Sequence, residues 1–378
     1  MRKSESLVPA VGICLVLLLV LSSFLTACAT PAATPSPTQA PAPKAEATAV
    51  PKATAPAPKP EASPAAKAEP AAAPKGQPVE LKLVTFIPAN APRTQIVLKL
   101  VERINERLKG ELSIKHVGGP EVVPGTELGQ AVQRGTVDIG FLPTAFYEGL
   151  VPVGNILLLS QVSAKEERDR GAWDALKEMH AKAGLQFLWR IDPSLEPQFY
   201  LAFRNEVKTL ADLKGVKLGA VGNHAKAFSQ ALGMAMVSVP TTEAYTAVER
   251  GVVDAFSTAA DTHISYGDYE KLKYILDHPY YTDNTVWIMN MNKWNSLSKD
   301  LRDKTWNVYL EFEPELAKMH KDMIAAANKK MAGAGAKFIK LSPADEKKFL
   351  DTVYSAEWTR LTEAQPDAVK ALKDKISK

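Results

Sequence analysis

The sequence predicts an α/β protein made of two similarly built lobes facing each other across a cleft. Two observations carry that expectation. Short strands alternate with amphipathic helices, the pattern of largely parallel sheets covered by helices. In addition, a twelve-residue helix–glycine–strand segment occurs twice, 116 residues apart. Two lobes built alike would bring the ends of their strands together across that cleft.

From the N-terminus, Arg2 and Lys3 precede an unbroken apolar run from Val11 to Leu21. That run is shorter than the roughly 20 apolar residues a membrane-spanning helix needs, so residues 1–27 read as a secretory signal. Leu25-Thr26-Ala27-Cys28 resembles a bacterial lipobox, which makes Cys28 the expected site of lipidation, palmitate included. The only other cysteine, Cys14, falls inside the signal, so the folded part is expected to hold no disulfide and no cysteine metal site. Residues 28–78 carry 13 of the chain's 27 prolines and no aromatic residue, and so read as a disordered tether. The remainder, Val79 to Lys378, is long enough to bury a core without staples. A formal net charge of +4 over 378 residues gives no reason to expect a nucleic-acid partner.

Val79 to Val84 alternates apolar and polar residues and reads as a strand. Ile96, Val97, Leu100, Val101, Ile104 and Leu108 share one helical stripe, begun by Pro92 and ended by Gly110. Leu112 to Lys115 is a second strand running into Gly118-Gly119-Pro120. The repeated segment comes next: Glu127 to Asp138 and Glu243 to Asp254 agree at seven of twelve positions, including the pairs Gly135 and Gly251, Asp138 and Asp254. In each copy a short helix buries Ala and Val, a left-handed glycine caps it, and a strand begins. A glycine loop is expected ahead of each copy, at Gly118-Gly119 and at Gly219 and Gly222. Gln198 to Arg204 alternates as a strand, with Phe199, Leu201 and Phe203 assigned to the core and Gln198, Tyr200, Ala202 and Arg204 to the cleft. Towards the C-terminus, Ser298 caps a helix that Pro314 should kink or break. Lys337 to Leu341 reads as a strand, Ser342-Pro343-Ala344-Asp345 opens another helix, and a last helix covers Pro366 to Ile376.

Catalytic grammar is missing. There is no phosphate loop, dinucleotide fingerprint, HExxH or GxSxG, and the six histidines stand at no close metal-ligand spacing. Neither a cofactor nor a metal is expected. His224 and His263 follow strand ends, which keeps open an enzyme using one of them with Asp261 as a base.

Leu210-Ala211-Asp212-Leu213-Lys214-Gly215-Val216-Lys217-Leu218, Val239-Pro240, Glu243-Ala244-Tyr245 and Arg250-Gly251-Val252-Val253-Asp254 resemble the DctP family, the extracytoplasmic solute receptors of tripartite ATP-independent periplasmic (TRAP) transporters. The resemblance implies a periplasmic-binding-protein-like fold, two α/β lobes joined by crossing strands and a long helix and closing on one small organic solute, a monomer, and delivery to two integral membrane permease subunits driven by an ion gradient. It divides the chain into lobe I, 79–197 with 285–325, and lobe II, 198–284 with 326–378. With Cys28 it implies an extracytoplasmic protein held to a membrane by lipid. An ABC importer or a sensor kinase as the downstream partner remains an alternative.

One departure stands out. Carboxylate-binding members carry an arginine two residues beyond the position of Lys217, where this chain has Gly219; a second arginine aligns with Gln198. A guanidinium fork supplies charge-assisted bonds of about 1.5–3 kcal/mol each. The ligand is therefore expected not to be a simple carboxylate, unless Arg190, Arg204 or a metal ion takes over. The expected cleft comprises Phe86 and Asn90 after the first strand, Phe141, Thr144 and Tyr147 after the first copy of the repeat, and Arg190, Gln198, Tyr200, Gly219, Asn223 and His224. Phe256, Ser257, Thr258 and His263 follow the second copy.

Overall fold

The computed structural model describes residues 78–191 and 196–378. The expected signal, Cys28 and all but the last residue of the tether lie outside the described residues. β1 (Val79–Thr85), α1 (Pro92–Arg107), β2 (Leu112–Gly118), α2 (Gly125–Gln133) and β3 (Ile139–Pro143) form a first βαβαβ unit. Two short 3₁₀ turns, α3 (Ala164–Asp169), α4 (Ala172–Lys182), β4 (Leu185–Arg190) and β5 (Phe199–Phe203) follow. The βαβαβ order then returns as β6 (Lys217–Ala220), α5 (Asn223–Ala231), β7 (Ala235–Ser238), α6 (Ala244–Glu249) and β8 (Ala255–Ala259). The chain ends with α7 (Ala260–Tyr266), β9 (Tyr274–Leu276), β10 (Thr285–Asn290), α8 (Met291–Ser296), α9 (Lys299–Gly333), β11 (Lys337–Ile339), α10 (Pro343–Ala364) and α11 (Pro366–Ile376).

These strands make two sheets, ordered β2-β1-β3-β10-β4 and β11-β9-β5-β8-β6-β7. The parallel trios β2-β1-β3 and β7-β6-β8 correspond. Each is closed by an antiparallel strand supplied by the other half of the chain, β10 against β3 and β5 against β8. The chain thus crosses between the lobes from β4 to β5 and from β9 to β10, and these two crossing segments pair with each other. Gln198 N–H donates to Tyr281 O at 3.0 Å, and Phe199 and Tyr280 exchange backbone bonds at 3.1 Å.

The sequence repeat is geometric as well. Gly135 and Gly251 take φ of 77° and 71°, left-handed values that cost glycine nothing. The next residues, Thr136 and Val252, donate to Ala131 O and Ala247 O, each at 2.9 Å. Asp138 and Asp254 then clamp the neighbouring parallel strand. Their carboxylates accept from Lys82 N–H at 2.8 Å and Lys217 N–H at 3.2 Å, while their own N–H groups donate to Lys82 O and Lys217 O. The glycine loops do not correspond as expected. Gly118-Gly119 ends β2, whereas Gly219 and Gly222 lie in and after β6, the counterpart of β1; the strand before the second copy is β7.

Pro314 does not break α9, which runs unbroken over 35 residues. One lost backbone bond is outweighed by a buried stripe from Thr305 to Met331 that packs on α1 in one lobe and α7 in the other. In the first lobe Tyr309 stacks on Trp189 with ring centres 5.1 Å apart; in the second, Ala327 and Met331 join the core around Tyr200 and Phe256. Ser298 and Ser342 cap α9 and α10 as expected. α11 seals against α3 and α4, with Gln161 N–H donating to Ile376 O at 2.7 Å. No helix among the described residues is long and apolar enough to cross a membrane.

Candidate functional site

A cavity of about 50 Å³ lies where the strand ends of the two sheets meet. Phe86 after β1, Pro143 at the end of β3 and Arg93 on α1 line it from the first lobe. Val221 after β6, His224 on α5, Ser257 to Ala259 of β8 and Thr262 on α7 line it from the second, and Phe199 and Asp283 to Thr285 from the crossing segments. Phe146 stands between this cavity and two wider outer grooves.

Arg93 is the centre of the site. It is 2% exposed, and it occupies the first turn of α1, where no acidic side chain accompanies it. A cation there opposes the helix dipole, so its stability comes from across the cleft. Nε and Nη2 donate to the two oxygens of Asp261 on α7, at 2.9 and 2.7 Å. Nη1 donates to Asp283 and to Thr285 Oγ1, the latter at 3.3 Å, and Nη2 also donates to Gln198 Oε1 at 3.3 Å. All five guanidinium N–H groups are therefore engaged within the protein.

Burial would pull the Arg93 pKa down, but Asp261 and Asp283 more than offset this and hold it above its ordinary value. Burial alone would raise the Asp283 carboxyl; Arg93, then His320, outweighs it and leaves the group below the usual carboxylate range. His320 on α9 is pushed down to about 4 by burial, with Arg93 adding to the effect. Burial, helped by the charge of Arg360, takes His224 down to about 3. Both imidazoles are neutral at physiological pH.

Of the residues expected in the cleft, Phe86, His224, Ser257 and Thr258 line the cavity, and Gln198 joins it through Arg93. Thr144 is one step behind, accepting from Asn284 Nδ2 at 2.9 Å and so holding a lining residue in place. The others are elsewhere. Asn90 is exposed. Asn223 reaches Glu148 at 3.1 Å on an outer groove. Tyr147 bonds His180 at 2.9 Å inside the first lobe, where Phe141 is fully buried. Arg190 is wholly buried behind the cavity, paired to Glu167 at 3.1 Å, so it is not a spare clamp. Arg204 lies past the far end of β5. His263 bonds Asp268 at 2.8 Å. Since Asp261 gives both its oxygens to Arg93, it forms no base pair with either histidine.

The faces of β5 are the reverse of those expected at its first turn. Phe199 lines the cavity, whereas Tyr200 sits in the second-lobe core with its hydroxyl accepting from Asn328 Nδ2 at 3.0 Å. Gly219 is explained by Phe256, whose ring lies 2.6 Å from where a Cβ at 219 would stand. The side-chain space expected of an arginine is thus filled by phenylalanine. Among the described residues, no group of three or more His, Cys, Asp or Glu side chains could hold a metal ion.

Arg93, Asp283, Asn284, Thr285 and Phe146 were not anticipated from the sequence. The signal for Arg93 was present: it is the second residue of the helix after β1, and His224 is the second residue of the helix after β6.

A family model for bacterial extracellular solute-binding protein, family 7 (DctP) matches residues 83–361. The chain is similar to a solute-binding protein of Albidiferax ferrireducens, 25% identical over 290 residues, which are 70% of this chain and 80% of that protein. It is also similar to a monocarboxylate 2-oxoacid-binding periplasmic protein of Nostoc, 27% identical over 222 residues, 54% of this chain and 58% of the relative. Its fold resembles that of a marine metagenome TRAP solute-binding protein specific for pyroglutamate, with a TM-score of 0.70 at 20% identity, covering 80% of this chain and 99% of the other. A TRAP periplasmic solute-binding protein from Desulfovibrio salexigens with bound orotic acid gives the same score at 21% identity, covering 78% and 97%.

Proposed function

Because the chain belongs to the bacterial extracellular solute-binding proteins, family 7, we propose that it captures one small organic solute between its lobes and passes it to the paired membrane subunits of a TRAP transporter. The carrying observation is the cavity at the meeting of two sets of strand ends, lined by both lobes and by both crossing segments. Such a site changes shape when the lobes move, which suits capture and release. The side chains around it suit a binding site, since both cavity-side acids, Asp261 and Asp283, are committed to Arg93. The chain acts as a monomer tethered through a lipid on Cys28.

Small-angle scattering of the purified chain, titrated with a library of small solutes, tests the receptor reading. A bound solute should compact the particle and be recovered unchanged; chemical conversion of the solute would refute it. Anchoring is tested separately, since Cys28→Ser should release the protein from membranes and abolish palmitate labelling.

A further inference from the structure

We propose that the solute is a small organic cation, an ammonium group on a compact apolar frame, and not a free carboxylate; this deepens, and rests on, the receptor reading above. Three independent features of the site point the same way.

The first is the charge balance. Arg93 faces two carboxylates, Asp261 and Asp283, and the nearby Arg190 is cancelled by Glu167. With His224 and His320 neutral, the site carries one net negative charge. An entering anion would find no unengaged N–H on Arg93, because all five are already donated within the protein. Asp283, by contrast, lines the cavity, and a carboxylate has about four acceptor positions. Arg93, Thr285 N–H and the Thr285 hydroxyl take three of them, and His320 Nε2 stands 3.5 Å from Oδ2.

The second is the aromatic lining. Phe86, Phe146 and Phe199 all border the cavity, with Phe86 and Phe146 edge-to-face at 5.8 Å. Aromatic rings around a cation within about 6 Å attract it through their quadrupoles, most strongly when water is excluded.

The third is the approach. The outer groove of about 460 Å³ shares Phe86, Phe146, Val221 and Thr241 with the cavity, and its only charged lining residues are Glu121 and Glu243. Of the two outer grooves that meet the cavity at Phe146, one carries both Glu148 and Lys226, whereas this one is acidic. Such a field concentrates cations and slows anions.

The test is calorimetric titration of the full chain at neutral pH with three probes of one frame: isobutylammonium, isobutanol and isobutyrate. Isobutylammonium should bind about tenfold or more tighter than either of the others. Asp283→Asn should remove that preference. Because that variant also disturbs Arg93, Phe146→Leu, on a half-buried ring, provides a second readout. It should weaken isobutylammonium several-fold while changing isobutanol little, a split that simple loss of packing would not give. If isobutyrate binds tightest, or the three bind alike, the cation assignment falls and the receptor reading stands. If neither these probes nor the wider solute library alters the scattering profile, both fall together.

Discussion

The guanidinium of Arg93 and the carboxylate of Asp261 meet as a two-point ion pair across the cleft, with N–O distances of 2.9 and 2.7 Å and at most 2% of either side chain exposed. One partner rides on the first lobe and the other on the second, 168 residues away in sequence. The pair is thus a latch between the lobes, and its arginine is also a wall of the cavity.

Removing one side of that latch should be costly. Arg93→Gln leaves Asp261 and Asp283 buried without their cation and should lower stability by about 3–5 kcal/mol. Urea denaturation followed by circular dichroism measures this. A loss below about 1 kcal/mol would mean that the carboxylates find water when the arginine is gone.

Acidification should destabilise the fold well before the ordinary carboxylate range. His180, His224 and His320 are held by burial at about 4, 3 and 4, against an unfolded value of 6.5. Between those limits the unfolded chain takes up protons that the folded chain refuses, so stability falls as pH drops from 6.5 towards 4, on the order of 3 kcal/mol per histidine. Asp283, depressed below its unfolded value, adds a loss at still lower pH. Glu357, raised by burial to about 7, has the opposite slope between about 4.5 and 7. Three histidines against one carboxyl leave a net loss on acidification. His180→Gln should flatten the curve, and thermal melts from pH 7.5 to 4 would reveal it.

Filling position 219 should strain the second lobe. In Gly219→Ala the new methyl meets the Phe256 ring at 2.6 Å and Val253 Cγ2 at 3.2 Å, an overpacking that costs about 1–3 kcal/mol. Phe256→Leu in the same chain should recover part of the loss. Chemical denaturation of the two single variants and the double variant yields the coupling directly; strict additivity would rule out the ring contact as the cause.

The backbone of this fold was readable because its punctuation is local. Gly135 and Gly251 had to be left-handed, Ser298 and Ser342 had to cap, and two matching segments twelve residues long implied two matching lobes. The site was less readable because its determinants are distant. Nothing near Arg93 in sequence reveals Asp261 or Asp283, which lie 168 and 190 residues on. Period-two alternation misassigned Phe199 and Tyr200 because β5 is covered on both faces, so polarity does not mark which side meets the cleft. Gly219 was read as a missing arginine, and the phenylalanine that lies against it comes from a neighbouring strand.

The continuity of α9 has a mechanical consequence. At 1.5 Å per residue its 35 residues make a rod about 50 Å long, with one end fixed in each lobe's core. If the lobes swing apart about the paired crossing segments, the rod must either slide or flex. Its weakest link is already marked: Pro314 has no amide hydrogen to give Leu310, less than two turns before His320 reaches the crossing segment at Asp283. Opening of the cleft would therefore be felt as a bend in α9 at Pro314, well away from the cavity lining.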